Sequence, residues 1–531
     1  MTTPAAPAPR TPAAPVPRAG ARQWAALAVL MLPVLMISVD TTVLSFAVPH
    51  LSTALAPTGT ELLWIVDGYS LAIAGLLVTM GALGDRSGRR RLLVVGAAGF
   101  GAVSVLAAFA PSAQALIAAR VALGVFGATL MPSTLALLRS TFPDREQRRT
   151  AFAVWAGAFA GGAALGPVVG GLLLERFWWG SVFLVNVPVV ALVLVLVPLL
   201  VRESRSSAPA RLDPASAALA SAAMAGVVYG VKAFADHGPG AVPLLCTAAG
   251  AGLGVLFVRR QVRLAEPLLD VGLFRLPVFR TAVLANLMSI CGMTGMLFAV
   301  SQYLQLVLGL SPVRAGLMLL PGAVVSVGAG LLAARLARRA RLDVLITTGL
   351  LLGTAGYAVA ATLGPAEPGR VLGSAVQLAV AFVVLSAGAG LAETLTNDAI
   401  LASAPADRAG AASAISETAY EVGAVLGTTV LGSVLTASYS AGVAVPAGTD
   451  PQRAAAATET LGGAVEVAAQ LPAAAGEQLL ESARAAFAHG LDTTALAGAV
   501  LTALAALVVH RQLRPRALAV AERRERERVD A

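Results

Sequence analysis

The chain has 531 residues and a formal net charge of +9, and 57% of its residues are hydrophobic while only 13% are charged. Soluble domains carry about 25% charged residues, so this composition excludes a water-soluble enzyme. The two cysteines and four histidines are scattered along the chain without the spacing of metal ligands. We therefore predict no metal site and no disulfide framework.

Apolar segments long enough to cross a bilayer recur along the whole chain. A spanning helix needs about 20 mostly apolar residues, and by that rule the sequence predicts an all-α integral membrane protein with 14 transmembrane helices. The predicted spans are residues 23–47, 62–83, 92–110, 114–138, 151–174, 181–201, 213–234, 241–258, 281–308, 315–334, 344–363, 371–399, 409–436 and 487–509.

Basic residues predict how these spans are oriented. An even number of spans puts both termini on the same side of the membrane. If that side is the inside, the tails and inner loops hold most of the 38 lysine and arginine residues, as the positive-inside rule requires. We therefore predict a multi-pass protein of the cell membrane with both termini cytoplasmic. This topology explains the net positive charge by contact with the lipid bilayer, without a nucleic-acid partner.

The first two spans each carry an acidic residue. Span one contains Ser38-Val-Asp40-Thr41-Thr42, and loss of hydration there penalises a charged carboxylate, which makes proton uptake feasible. We predict that Asp40 couples transport to protons; the alternative is a structural acid satisfied by its serine and threonine neighbours. Asp67, near the start of span two, is predicted to bind substrate or is simply solvated at the outer end.

Residues 81–91 read Gly-Ala-Leu-Gly-Asp-Arg-Ser-Gly-Arg-Arg-Arg and predict a membrane-surface hairpin between spans two and three. Its glycines permit close approach and tight turning. An acid near a helix N-terminus is favoured by the dipole, so we expect Asp85 to bind the next helix or an arginine. The alternative is an ordinary positive-inside loop. The candidate gating residues of this segment are Gly81, Asp85, Arg86, Gly88 and Arg89.

Spans four and five carry a buried charge and a row of glycines. Arg120 lies within span four, and an intramembrane charge is a functional candidate by default. The alternative for Arg120 is a structural ion pair, or a side chain that extends to the outer surface. In span five, Gly162, Gly166 and Gly170 recur every four residues and share one helix face, a pattern of close helix packing. Pro167 removes a backbone donor and can kink the helix.

Acidic residues recur in the second half of the chain. In span twelve, Glu393 lies deeper than Asp398 and is the predicted substrate ligand, while Asp398 is predicted at the interface. Glu417 and Glu421 in span thirteen are four residues apart and share one face, with Tyr420 beside them. Two nearby carboxylates in a poorly hydrated cavity cannot both ionise easily, which favours proton binding. We predict proton coupling for both glutamates and substrate binding for Tyr420; the rival is hydrogen bonding between helices.

Several of these motifs resemble one family of transporters. Residues 81–91 resemble the motif between the second and third helices of the major facilitator superfamily, and the Arg120 stretch resembles its second motif. The sequence Gly166-Pro167-Val-Val-Gly170-Gly171 resembles the antiporter motif of its exporters. The Asp40 stretch resembles the signature of its fourteen-helix drug:proton antiporters, with Val39 where leucine is usual. Residues 387–432 resemble the quaternary-ammonium and multidrug exporters of that branch.

The resemblance implies the major facilitator fold, with two six-helix bundles and two linker helices. The implied organisation is a disordered cytoplasmic tail 1–22, an N-terminal bundle 23–201, a linker helix pair with a cytoplasmic loop 202–280, a C-terminal bundle 281–509 with an external loop at about 438–486, and a basic cytoplasmic tail 510–531. In the family, Arg120 would be tied to proton coupling and the loop 81–91 would gate the cytoplasmic side.

The implied function is proton-coupled antiport that exports hydrophobic or cationic drugs and confers resistance, with protons and amphiphilic small molecules as partners. The alternative is a dedicated exporter of a host secondary metabolite, used in self-resistance. No nucleotide-binding motif Gly-x-x-x-x-Gly-Lys-Ser/Thr occurs, so we predict that no cofactor is needed and that the proton gradient is the energy source. We expect a monomer. A nutrient symporter is disfavoured by the Gly-Pro motif, and a membrane enzyme by the scattered histidines.

Overall fold

The computed structural model describes residues 19–205, 213–238, 240–264, 267–337, 339–363, 371–405 and 409–513. The predicted tails lie outside these residues except for positions 19–22 and 510–513. The helices are α1 Ala21–Leu55, α2 Gly59–Ser87, α3 Arg89–Ala108, α4 Ala113–Thr141, α5 Arg145–Arg176, α6 Ser181–Leu184, α7 Asn186–Leu200, α8 Pro214–His237, α9 Ala241–Arg263, α10 Pro277–Gln302, α11 Pro312–Leu336, α12 Leu342–Ala360, α13 Val371–Ser403, α14 Ala409–Leu426, α15 Ser433–Gly442, α16 Pro451–Glu459, α17 Leu461–Gln470 and α18 Ala473–Gln512.

Fourteen helical stretches among the described residues are long and apolar enough to cross a membrane, and this confirms the predicted number. Three of them are composite. Helices α6 and α7 together form the sixth, α10 and the π-helical turn Tyr303–Val307 form the ninth, and α14 and α15 are joined through a π-helical turn at Gly427–Gly432 to form the thirteenth. An even number of crossings brings the start of α1 and the end of α18 to one side, which we call the terminal face; the opposite side is the far face.

The helices pack as two halves with a pair of helices between them. Helices α1–α7 form the first half and α10–α18 the second half, while α8 and α9 pack on each other. Helix α8 contacts α2 of the first half and α15 of the second half. Across the halves, α2 packs on α14, α5 on α11, and α1 on α10 and α17.

Contacts between the halves seal the far face. The Ser301 hydroxyl of α10 donates to the Ser45 carbonyl of α1 at 2.7 Å. The Gln305 amide, in the π-helical turn that follows α10, donates to the Phe46 carbonyl at 3.3 Å. A side chain at Gly171 of α5 would collide with the backbone at the start of α11. All of these contacts lie where α1, α5 and α10 approach the far face, so the two halves are closed against each other there.

The segment predicted as an external loop contains two short helices at the far face, α16 and α17. Tyr439 at the end of α15 donates its hydroxyl to the Ala457 carbonyl of α16 at 2.7 Å. Helix α17 packs on α1 so closely that a Cβ at Gly462 would collide with Ser52. The segment therefore connects the second half to the first.

The hairpin predicted at residues 81–91 is much tighter than expected. Helix α2 continues to Ser87 and α3 begins at Arg89, so Gly88 alone reverses the chain. Its φ of 108° lies in the region that only glycine adopts easily. Asp85 and Arg86 therefore belong to the last turn of α2 rather than to a loop.

Candidate transport pathway

A buried ion pair joins Asp40 and Arg120, two of the four residues predicted to couple transport to protons. The Arg120 guanidinium of α4 donates to the Asp40 carboxylate of α1 at 2.8 Å. Both residues are only 1% exposed. The other carboxylate oxygen of Asp40 accepts from the Asn186 amide of α7 at 3.1 Å, and Arg120 Nε donates to the Ile65 carbonyl at 3.0 Å. The two charges and their hydrogen-bond partners thus lie on four helices, α1, α2, α4 and α7.

Tyr69 and Gly124 shape the surroundings of this pair. The Arg120 guanidinium lies 4.5 Å from the centre of the Tyr69 ring, a distance at which a cation is attracted to the ring face. A Cβ at Gly124 would collide with the Tyr69 carbonyl, so glycine lets α4 approach α2. Asn186 and Tyr69 lie far from Asp40 in the sequence, and no local pattern connected either of them to it.

Asp67 belongs to a second buried cluster rather than to a solvated helix end. Lys232 Nζ of α8 lies 2.8 Å from Asp67 Oδ2, and the side chains are 0% and 2% exposed. Asp67 also accepts hydrogen bonds from the hydroxyls of Thr428 and Thr429, in the turn between α14 and α15. Of the two alternatives for Asp67, a solvated acid at the outer end is excluded, because α8 and the turn between α14 and α15 cover its side chain.

The acids of the second half lie near an aromatic contact between the halves. The ring of Tyr420 on α14 meets the ring of Phe159 on α5 edge-on, with centres 5.9 Å apart. Phe159 in turn stacks on Trp155 at 6.1 Å. Tyr420 is close enough to Glu393 and Glu421 to interact with both electrostatically.

The side chains of Glu393, Glu417 and Glu421 are partly buried, whereas Asp398 is exposed. Glu421 also contacts Ser70 of α2, and it interacts electrostatically with Glu417 one turn away. Glu421 of α14 therefore faces the first half, while Glu393 of α13 lies near Tyr420 and Glu417 lies one turn from Glu421. Asp398 is not part of this group.

The glycines of α5 face α1. A Cβ at Gly162 would collide with Ser38, one at Gly166 with Thr42, and one at Gly170 with Val43. These contacts flank Asp40 along α1. The Pro167 carbonyl lies against Gly316 of α11 on another side of α5, so this helix connects the Asp40 helix with the second half.

The motif at residues 81–91, predicted to act in gating, is held at the terminal face by charge pairs. Arg89 at the start of α3 donates to Asp85 at 2.8 Å and to the Ser204 hydroxyl at 3.2 Å. The backbone amides of Arg90 and Arg91 donate to the Glu203 carboxylate at 2.9 and 3.1 Å. An acid at a helix N-terminus is favoured by the helix dipole, and Glu203 takes that place for α3. No sequence motif indicated this role for Glu203, which lies three residues after the end of α7.

The other two residues of the motif make fewer contacts. Arg86 is exposed, and Gly81 is partly buried with Pro132 of α4 opposite its missing side chain.

Residues 30–428 match the Major Facilitator Superfamily, which is more than half of the chain. The chain belongs to this superfamily. The Major Facilitator Superfamily consists of transporters, so the protein is a transporter and not an enzyme, as the resemblance of its motifs implied. The fold class predicted from the motifs is likewise confirmed.

Relatives with high similarity are named for drug efflux, resistance or export. The multidrug efflux pump LfrA of Mycolicibacterium smegmatis is 53% identical over 92% of this chain and 96% of its own length. The methyl viologen resistance protein SmvA of Salmonella typhimurium is 39% identical over 91% of this chain and 97% of its own. The tetracenomycin C resistance and export protein of Streptomyces glaucescens is 35% identical over 92% and 91%.

Solved structures of the Major Facilitator Superfamily share the fold. A bacterial homologue of the human lysosomal transporter Spinster superposes with a TM-score of 0.65 at 17% identity, covering 94% of this chain and 98% of that one. The D-xylose–proton symporter superposes with a TM-score of 0.54 at 17% identity, covering 77% and 90%.

Proposed function

We propose that this transporter exports hydrophobic or cationic drugs across the cell membrane in exchange for protons, and thereby confers resistance. Relatives named for drug efflux and resistance align with nearly the whole chain, which supports drug export. The observation that supports proton exchange is the buried Asp40–Arg120 pair. Asp40 is an acid inside the protein, and a single oppositely charged side chain, Arg120, compensates its negative charge.

In the proposed mechanism, protonation of Asp40 releases Arg120. A buried ion pair persists because each charge compensates the other. A proton on Asp40 removes the attraction, while Arg120 keeps its contacts with the Ile65 carbonyl and the Tyr69 ring. Helix α1 is then free to shift relative to α4. Because α1 packs directly on α5, and α5 contacts α11, the shift reaches the interface between the halves.

The substrate in this proposal binds between the halves, near Tyr420. Aromatic faces attract organic cations, and Tyr420, Phe159 and Trp155 supply three such rings. The glutamates on α13 and α14 supply negative charge on the same side. Glu417 and Glu421 repel each other when both are ionised, so a proton on either one competes with a bound cation. This competition is the exchange that the mechanism requires.

The remaining assignments belong to the same proposal. The basic residues of the tails and inner loops support a cytoplasmic position for both termini and the terminal face, and the proposed energy source is the proton gradient, without a cofactor. The proposed pathway lies within one chain, which suits a monomer.

A dedicated exporter of a secondary metabolite is a second candidate. The tetracenomycin C resistance and export protein aligns with nine tenths of this chain, and such a protein would use the same proton exchange with a narrower choice of substrate. A panel of structurally unrelated cations and neutral antibiotics distinguishes the two candidates, since a dedicated exporter would respond to few of them.

The decisive experiment is drug-dependent proton flux in proteoliposomes with an imposed pH gradient. A pH-sensitive dye reports protons that move when an amphiphilic cation is added. We expect the wild type to dissipate the gradient on addition of the cation and Asp40→Asn to leave it intact. Asp398→Asn is the matched control, because it removes an exposed acid outside the proposed pathway, and it should behave as the wild type.

Two results would contradict the proposal. A wild type that shows no drug-dependent flux with any compound of the panel would argue against proton-coupled drug export. Flux that persists in Asp40→Asn would move proton coupling away from the Asp40–Arg120 pair to the glutamates of the second half.

A further inference from the structure

Lys232, the chain's only lysine, is fully buried in a helix that lies between the halves. It is on α8, one of the two helices outside the six-helix bundles, and its side chain is 0% exposed. Its Nζ lies 2.8 Å from the Asp67 carboxylate and 4.6 Å from the centre of the Trp64 ring, so both of these contacts are to α2. The mechanism proposed above does not use it.

The Asp67 carboxylate joins three separate parts of the fold. Lys232 of α8 approaches one of its oxygens, and the Thr429 hydroxyl of the second half donates to that same oxygen at 2.9 Å. The Thr428 hydroxyl donates to the other oxygen. Asp67 itself belongs to the first half. A single carboxylate therefore connects the first half, the second half and the helix pair between them.

This cluster lies beside the contacts that close the far face. One turn before Asp67, the side chain of Leu63 packs against Gly432, and a Cβ at Gly59 would collide with Thr436 of α15. Opening the far face requires α2 to separate from the turn between α14 and α15. That separation removes the threonine hydroxyls from Asp67 and lets water reach the ion pair.

A buried ion pair is a poor device for stability alone. Well-packed apolar side chains of similar volume are often equally or more stabilising, whereas loss of one partner leaves an uncompensated buried charge. Packing therefore does not explain why a buried lysine occupies this position on α8. The position lies at a junction that must separate during transport, and this explains the lysine.

We infer that Lys232 is the resident counter-cation of Asp67 and that the pair, with Thr428 and Thr429, is a latch that holds the far face closed. In this inference α8 takes part in the transport cycle by closing the far face, and does not only connect the two halves. The latch opens when a proton or a cationic substrate neutralises the charge of Asp67 in place of Lys232. This inference rests on the proposed export function and adds Lys232 as a positioning residue.

Cysteine labelling in lipid nanodiscs tests the latch without a proton gradient or a drug. The protein would carry Leu63→Cys as its single cysteine, with Cys246→Ser and Cys291→Ala. Leu63 is 2% exposed in the closed far face, so its reaction with a polar maleimide measures opening. We expect Lys232→Gln to raise the labelling rate roughly tenfold and Lys232→Arg, which keeps the charge, to restore slow labelling.

The double variant Asp67→Asn/Lys232→Gln distinguishes two explanations for fast labelling in Lys232→Gln. One is the loss of the latch, and the other is the effect of leaving Asp67 as an uncompensated buried charge. The double variant leaves no uncompensated charge, so it should fold even if Lys232→Gln does not. A latch predicts fast labelling in the double variant as well, because the attraction is gone. Labelling at the wild-type rate in the double variant, or in Lys232→Gln, would overturn the inference.

Export assays link the latch to transport. In proteoliposomes, Lys232→Gln should reduce drug-dependent proton flux roughly tenfold, since the far face would no longer close efficiently, and Lys232→Arg should recover most of it. Undiminished flux in Lys232→Gln would also overturn the inference. A wild type without drug-dependent flux, but with Lys232-dependent labelling, would contradict the proposed function and leave the latch intact.

Discussion

At the scale of single residues, the pathway is defined by which acid meets which base. Asp40 and Asp67 are both buried acids on neighbouring helices, yet one pairs with an arginine of the first half and the other with a lysine of α8. Arginine stays charged under all physiological conditions, so the Asp40 pair responds only to a proton on the carboxylate. The second cluster has two hydroxyl donors in addition, and these come from the other half of the protein.

Replacing Arg120 tests the first pair. Arg120→Gln leaves Asp40 as an uncompensated buried charge, which costs about 3–5 kcal/mol, so the apparent melting temperature should fall and drug-dependent proton flux should stop. The double variant Asp40→Asn/Arg120→Gln removes both charges. We expect thermal melting to show recovered stability, while the dye assay still shows no flux. Proton flux equal to that of the wild type in the double variant would exclude this pair from coupling.

At the scale of elements, glycines bring α5 into direct contact with α1. The spacing of Gly162, Gly166 and Gly170 predicted one packed face, and the structure places that face on Ser38, Thr42 and Val43. The sequence shows only that some helix packs there. Which helix packs there depends on how the bundle folds, because small residues allow any neighbouring helix to approach closely.

A pair of glycine substitutions tests this contact. A Cβ at Gly166 would collide with Thr42, whereas one at Gly161 meets nothing within 4 Å among the described residues. Gly166→Ala should lower the apparent melting temperature, consistent with an overpacking cost of about 1–3 kcal/mol, and should reduce export. Gly161→Ala is the control and should be neutral or slightly stabilising, because alanine favours the helix. Equal melting temperatures for the two variants would contradict the close α1–α5 contact.

The start of α8 provides a pH-dependent contact outside the membrane-spanning residues. Asp213 caps α8, accepting from the Ser216 amide at 3.1 Å and from Arg260 of α9 at 2.9 Å. Burial opposes ionisation of Asp213, but hydrogen bonds from Arg260 and Ser216 outweigh it and lower its pKa from 3.8 to about 2. A lowered pKa stabilises the folded protein above the unfolded-state pKa, and that stabilisation is lost as the pH falls toward 2.

Asp213→Asn tests this cap. The melting temperature of the variant should lie below that of the wild type at pH 7, and the difference should shrink as the pH falls from about 4 toward 2. Thermal unfolding of the two proteins in detergent across this range measures the difference. A gap that is independent of pH would mean that the charge of Asp213 does not contribute.

At the scale of the whole molecule, the contacts described here close the far face. Hydrogen bonds from α10 to the backbone of α1, the α5–α11 contact and the packing of α17 on α1 all lie on that side. Opening the far face must break these contacts together with the Asp67 cluster. The segment with α16 and α17 thus takes part in these contacts, although the sequence predicted only an external loop there.

Much of this architecture was predictable from local patterns in the sequence. Hydrophobic length determined the fourteen spans because a bilayer has one thickness. Glycine spacing determined a packed face of α5, and four-residue spacing placed Glu417 and Glu421 on one face of α14. The single-residue turn at Gly88 was not predictable, since the charged residues around it suit a loop and a helix end equally well.

The tertiary structure alone decided the partners of the buried charges. Asp40 and Arg120, and likewise Asp67 and Lys232, are distant in sequence and lie on different helices, so no local period connects them. Apolar length and periodicity are properties of one segment and can be read from it. The choice of a counter-ion depends on how segments pack, because a buried charge accepts whichever opposite charge the fold brings within about 4 Å.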